Sequence, residues 1–175
     1  AKYGGSMLEE LDWWTKPRER SLVNELKVMI PEMTFLVALF EHNRKLWWVS
    51  FPFHFGLYLL AGTIGLLLIG AALGLAGVAV DPGGASAIGT AVYYLTQVVA
   101  VAGLTLATLG AAGLLTRRLT DPDLADYTTG ATIFNLVFFL LTFAVAWLTF
   151  LFVDPGFGLT RSFFQSLLIF NLSEP

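Results

Sequence analysis

The 175-residue chain is 56% hydrophobic and only 13% charged, with a mean hydropathy of +0.71. It is too apolar for an ordinary soluble domain and falls in the integral membrane class. The absence of Cys excludes thiolate-bound iron–sulfur clusters, Cys-ligated haem and disulfides within this chain, and a net charge of −3 offers no footprint for nucleic acid.

Residues 1–20 are polar and read as a loop at the membrane surface, where Trp13 and Trp14 suit the headgroup layer. No signal-peptide pattern opens the chain. Residues 21–45 read as helix, with Ser21 as N-cap and Leu22, Leu26, Met29, Ile30 and Met33 at helical spacing. Pro31 is expected to interrupt or kink it. Leu36, Leu39 and Phe40 continue its apolar face. An interfacial helix and a helix docked on a soluble partner subunit both satisfy this pattern.

Three runs carry no Asp, Glu, Lys or Arg: Leu46–Val80, Pro82–Thr116 and Tyr127–Val153. Each exceeds the roughly 20 residues needed to cross a bilayer. The first span is expected to start after Arg44 and Lys45, with Trp47 and Trp48 as interfacial anchors and Pro52 in its first turns, where a missing N–H does least harm. Gly70 and Gly74 form a small-xxx-small pair suited to close helix packing. Asp81-Pro82-Gly83-Gly84 reads as a turn. The second span runs from about Ser86 to Leu115 and is closed by Arg117 and Arg118. A loop over Leu119–Asp126 follows, with Pro122 as a breaker. The third span covers roughly Thr129–Val153. Leu159–Phe170 is apolar but too short to span, and reads as a re-entrant or interfacial piece or the lead-in to a further helix.

The expected fold is therefore an all-α integral membrane bundle with three spanning helices and an amino-terminal interfacial helix. Residues 1–45 form a cytoplasmic or interfacial segment and 46–175 a transmembrane domain. Seven of the ten Lys and Arg precede the first span, and Arg117 and Arg118 follow the second. Basic residues favour the cytoplasmic face, which places 1–45 and 117–126 there in the cell membrane.

His54 is the one histidine within the spans and lies about two to three turns in from the cytoplasmic side. An ionisable residue in hydrocarbon is costly, and so marks a candidate functional site. Neutral imidazole is a good haem-iron ligand. Gly56 and its small neighbours are candidates to admit a macrocycle, Phe51, Phe53 and Phe55 to wall it, and Arg117 and Arg118 to pair with its propionates. A lone histidine also serves by hydrogen-bonding a helix backbone and nothing more, so composition and spacing leave both readings open. His42, twelve residues earlier, lies about 18 Å away along a continuous helix and reads as solvated among Glu41, Asn43, Arg44 and Lys45.

Leu46–Leu60, the segment Gly113-Leu114-Leu115-Thr116-Arg117-Arg118-Leu119-Thr120-Asp121-Pro122, Thr128-Thr129-Gly130-Ala131 and Gln165-Ser166-Leu167-Leu168 together resemble the gamma subunit of respiratory nitrate reductase. The opening Lys2-Tyr3-Gly4-Gly5-Ser6 and Asp12-Trp13-Trp14 are similar to its relatives in sulfur-metabolising organisms, the haem b membrane subunits of the sulfite-reduction-associated complex. The resemblance implies a five-helix cytochrome b. Such a protein oxidises quinol and passes electrons through b haems to a cytoplasmic iron–sulfur subunit and a catalytic reductase subunit. It implies that His54 ligates the haem nearer the cytoplasm, and that the chain corresponds to helices two to four of a longer protein, with the opposite haem ligands after Pro175. A second histidine expected ten positions after His54 is replaced by Ile64, so a second haem is left unassigned. A cofactor-free membrane anchor is the alternative from another class. A transporter fits less well, because the spans hold no carboxylate or amine for ion coupling.

Overall fold

The computed structural model describes residues 21–171. The expectations for Trp13, Trp14 and the basic residues before Ser21 lie outside the described residues. The described chain forms two compact units, divided between Asn43 and Arg44.

In the first unit, α1 spans Leu22–Phe35 and α2 spans Val37–His42. Ser21 caps α1, its hydroxyl accepting from the Asn24 N–H at 3.4 Å. Pro31 sits inside α1 without ending it. The break comes at Leu36, which adopts the left-handed region at φ 52°. The Glu32 carboxylate accepts from the Ala38 N–H at 2.9 Å and so caps α2 across the break. A second break at Asn43 means that no continuous helix joins His42 to the first span.

In the second unit, α3 spans Arg44–Leu75, α4 Ala87–Thr120, α5 Gly130–Phe152 and α6 Gly158–Leu168, with a 3-10 helix over Pro122–Tyr127. The first three of these α-helices are long and apolar enough to cross a membrane. At 34 residues α4 is about 51 Å long, more than the hydrocarbon thickness, so its terminal turns stand among the headgroups. Hydroxyl N-caps start α4 and α5: Ser86 accepts from Gly89 and Thr129 from Thr132, both at 3.2 Å. The expected Leu119–Asp126 loop is instead mostly the 3-10 helix, opened by Asp121 and Pro122. Pro52 lies nine residues into α3 rather than in its first turns, so the carbonyl of Trp48 has no i+4 donor.

The helices stand in the order α5, α4, α3, α6, each against the next. α3 and α4 run antiparallel along a seam of glycines. A Cβ on Gly110 would strike Phe53, one on Gly103 would lie 2.9 Å from Leu59 Cβ, and one on Gly113 would lie 2.7 Å from Val49. The core forms where this seam meets α5, from Phe53, Leu104, Ala107, Ala111 and Phe143. Phe53 and Phe139 meet edge to face at 5.3 Å. Threonines in the spans donate to their own helix: buried Thr96 reaches the Val92 carbonyl at 2.6 Å and Thr108 the Leu104 carbonyl at 2.6 Å. This satisfies their hydroxyls without water.

Gly70 and Gly74 make close helix contact as expected, Gly70 in part against α4, where Val92 Cγ1 lies 3.7 Å from its Cβ position. They face α6, where Arg161 lies over Gly70 and the Gln165 amide over Gly74. The chain after Leu159, expected as a short lead-in or re-entrant piece, is thus a helix held on the carboxy-terminal half of α3.

Candidate functional site

His54 extends from α3 one residue past Phe53, about 100° round the helix from the core-facing ring. It is half-buried and meets Phe53 edge-on at 5.3 Å. Its Nδ1 is 2.8 Å from the Ser50 carbonyl oxygen and 3.5 Å from the Ser50 hydroxyl. A carbonyl oxygen only accepts, so Nδ1 carries the hydrogen, and in the neutral ring Nε2 carries the lone pair. A backbone acceptor on one ring nitrogen orients the ring and raises the basicity of the other, as it does for histidines that bind metal.

Two features assigned to a macrocycle are used otherwise. Gly56 is buried against α4, where a Cβ would strike the backbone of Ala107 and Gly103, so this glycine admits a helix and not a ring system. The three phenylalanines do not wall one space. Phe53 enters the core, whereas Phe51 and Phe55 stack at 5.4 Å and continue to Trp47 at 4.8 Å as an aromatic ladder on another face. The open small residue beside His54 is instead Ala61, two turns on along the same face and exposed. Beyond it Gly65 has no neighbour within 4 Å of its Cβ position.

Arg117 and Arg118 are not brought to His54. The α3–α4 register sets residue 109 of α4 level with His54, leaving Arg117 about 12 Å further along the axis at the same end of the bundle. Arg117 already pairs with Asp121 at 2.7 Å. Arg118, half-buried like Arg117, donates to the Tyr127 carbonyl at 3.1 Å. His42, the only other histidine in the chain, is exposed and its Nδ1 lies 2.9 Å from the Ala38 carbonyl. Among the described residues, no group of three or more His, Cys, Asp and Glu side chains could hold a metal ion. Among the described residues, His54 has the donor chemistry of a haem-iron ligand, and the spans hold no second histidine.

A polar cluster that the sequence reading did not assemble lies at the opposite end of the bundle. The turn between α5 and α6 crosses the beginning of α4, where the Gln97 amide donates to the Pro155 carbonyl at 2.8 Å. Buried Asp154 accepts from the N–H groups of Leu159 and Thr160 at 3.2 and 2.8 Å and from the Thr160 hydroxyl at 2.7 Å. Burial raises the Asp154 pKa, but these hydrogen bonds outweigh it and hold the carboxyl below its ordinary value. Arg161 donates to the Val80 carbonyl at 2.8 Å and to the Gly156 carbonyl at 3.3 Å. Burial pushes its pKa down, opposed by Asp154, Tyr93 and Asp81. Beside these groups a cavity of about 440 Å³ is lined by Gly70, Gly74, Val80, Arg161, Ser162 and Gln165. The signal was present in the sequence, since Gln97, Arg161 and Gln165 are long polar side chains in apolar surroundings. Their partners, however, are distant carbonyls.

Together the fold and its apolar surfaces define a class, an all-α multi-pass membrane protein. No family model matches the chain, and no curated protein or solved structure matches it.

Proposed function

We propose that this chain belongs to a membrane haem b electron-transfer subunit of the nitrate reductase gamma-like kind, linking quinol in the bilayer to a cytoplasmic iron–sulfur and reductase partner. The observation that carries the reading is His54. Its Nδ1–H is held by the Ser50 carbonyl and its Nε2 is left as a ligand atom, inside a helix with no Asp, Glu, Lys or Arg from Leu46 to Leu75.

In this reading the chain is part of a five-helix cytochrome b, and the ligand opposite His54 comes from another segment or chain. A b haem supplies one-electron transfer between a two-electron quinol and single-electron iron–sulfur centres. His54 would hold the haem iron through Nε2, and the Ser50 carbonyl fixes the ring's tautomer and angle. Phe53 shields one edge of the imidazole from water and lowers the local dielectric. Arg118 is the better placed of the two arginines to meet a propionate, because Arg117 must first release Asp121. The opposite ligand is sought outside His42.

The test is a pyridine haemochromogen assay on the protein in its native membrane complex. His54→Ala is expected to lower haem b by one per chain, and His42→Ala to leave it unchanged. Equal haem content in wild type and His54→Ala would remove His54 as a ligand. Absence of haem from both would leave a cofactor-free membrane anchor.

A further inference from the structure

Where α3, α4 and α5 diverge they enclose an apolar cavity of about 220 Å³, with Leu60, Thr63, Leu104, Thr142, Phe150 and Phe157 in its wall. Its two hydroxyls are already engaged. Thr63 donates to the Leu59 carbonyl and Thr142 to the Phe138 carbonyl, each at 2.9 Å. Neither hydroxyl hydrogen remains to hold a headgroup or a water cluster, and a dry apolar space of this kind accepts hydrocarbon. It is larger than an apolar cavity of about 150 Å³ that stays dry and binds a benzene-sized guest.

Shape narrows the class further. On α5 the wall runs from Thr142 to Phe150, about 12 Å of helix. A space of that length with an apolar wall fits part of one hydrocarbon chain. Its rim is open at Val101, 36% exposed, and at Thr142, also exposed, both midway along spanning helices. In a membrane that opening meets lipid tails and not water. The cavity occupies the half of the bundle that ends at the Asp154–Phe157 turn.

We propose that this cavity is a binding site for one acyl chain of a bilayer lipid, entering between α4 and α5 from the leaflet on the side of the Asp154–Phe157 turn. Free lipid tails are as apolar as the wall, so the gain on binding is close packing and not transfer out of water. The site is independent of the haem reading.

The test uses the full chain in nanodiscs of phosphatidylcholine carrying a small fraction of phosphatidylcholine with a diazirine on one acyl chain. Photolysis is followed by mapping of adducts by mass spectrometry. Labelling is expected at buried Leu104 as well as at the outward residues Leu141, Val145 and Leu148. Ala146→Phe, which fills the cavity from α5, should cut the Leu104 adduct by about tenfold and leave the outward adducts unchanged. Ala146→Leu is the second variant should the larger ring disturb folding by circular dichroism. Adducts confined to the outward residues, or a Leu104 adduct unchanged in the folded filled variant, would overturn the proposal. Stronger labelling of Leu104 by an isoprenoid diazirine of equal carbon number would overturn the choice of a lipid acyl chain.

Discussion

Gly56→Ala adds one methyl group at the tightest part of the α3–α4 seam. The new Cβ would lie 2.8 Å from the Cα of Ala107 and 2.8 Å from the carbonyl oxygen of Gly103, and closer still to the Ala107 nitrogen. Carbon atoms in favourable contact sit about 3.5–4.0 Å apart, so the backbones must separate by roughly 1 Å. All three obstructing atoms are backbone and cannot rotate away. A gap of that size forfeits about a quarter to a half of the dispersion energy of each contact along the seam, including those of buried Phe53, Leu104 and Ala111. Overpacking of this kind costs about 1–3 kcal/mol, against which Ala regains about 0.5–1 kcal/mol of helix propensity. The expected net loss is ~0–2.5 kcal/mol, and the deficit against a glycine-to-alanine change without overpacking is the full ~1–3 kcal/mol. Gly65→Ala in the same helix is the control, because nothing lies within 4 Å of that Cβ position. Only the propensity gain applies there, so stability should hold or rise slightly. Reversible SDS titration in mixed micelles, followed by far-ultraviolet circular dichroism, measures both. If Gly56→Ala were as stable as Gly65→Ala, the close α3–α4 seam would be wrong.

Three more outcomes follow from the two ends of the bundle. Asp154→Asn removes a buried carboxylate that accepts three hydrogen bonds and should cost about 1–3 kcal/mol at neutral pH, read by the same titration. The folded pKa of Asp154 is lowered, so its stabilisation is fully present above the unfolded carboxyl value of about 3.9 and is lost as pH falls through the folded value. Wild type should therefore lose its advantage over Asp154→Asn below about pH 4, and an advantage that persists at lower pH would contradict the shift. Replacing Arg117 and Arg118 together should move the haem midpoint potential if either meets a propionate, with Arg118→Gln the larger single effect. An unchanged potential in a redox titration of the double variant would remove both contacts.

The spans and the Ser21 cap were legible because the physics is local. Uncharged runs of sufficient length must be helices in a bilayer, and Ser21, Ser86 and Thr129 each stand one residue before a helix that needs its first N–H groups satisfied. The break in the amino-terminal helix was misplaced at Pro31. A proline inside a helix weakens it, but here the chain turns at Leu36, where the Glu32 carboxylate supplies a cap that no local pattern announces. Glycines mark close approach without naming the neighbour. Gly56 was assigned to a macrocycle and meets Ala107, whereas Gly70 and Gly74, expected to pack a helix, do so against the Arg161 and Gln165 side chains of α6 and, for Gly70, Val92 of α4. In each case the partner is far away in sequence. His54 stood out by its cost in hydrocarbon. The Ser50 carbonyl that orients it sits four residues back on the same helix, so the pairing is readable from spacing once the helix is accepted.

The most direct measurement is a reduced-minus-oxidised visible spectrum of the full-length protein in membranes, beside its His54→Ala variant. With His54 as an axial ligand, a b-type signal is present in the wild type and falls in the variant. No signal in either, or a signal of equal size in both, would contradict haem ligation by His54.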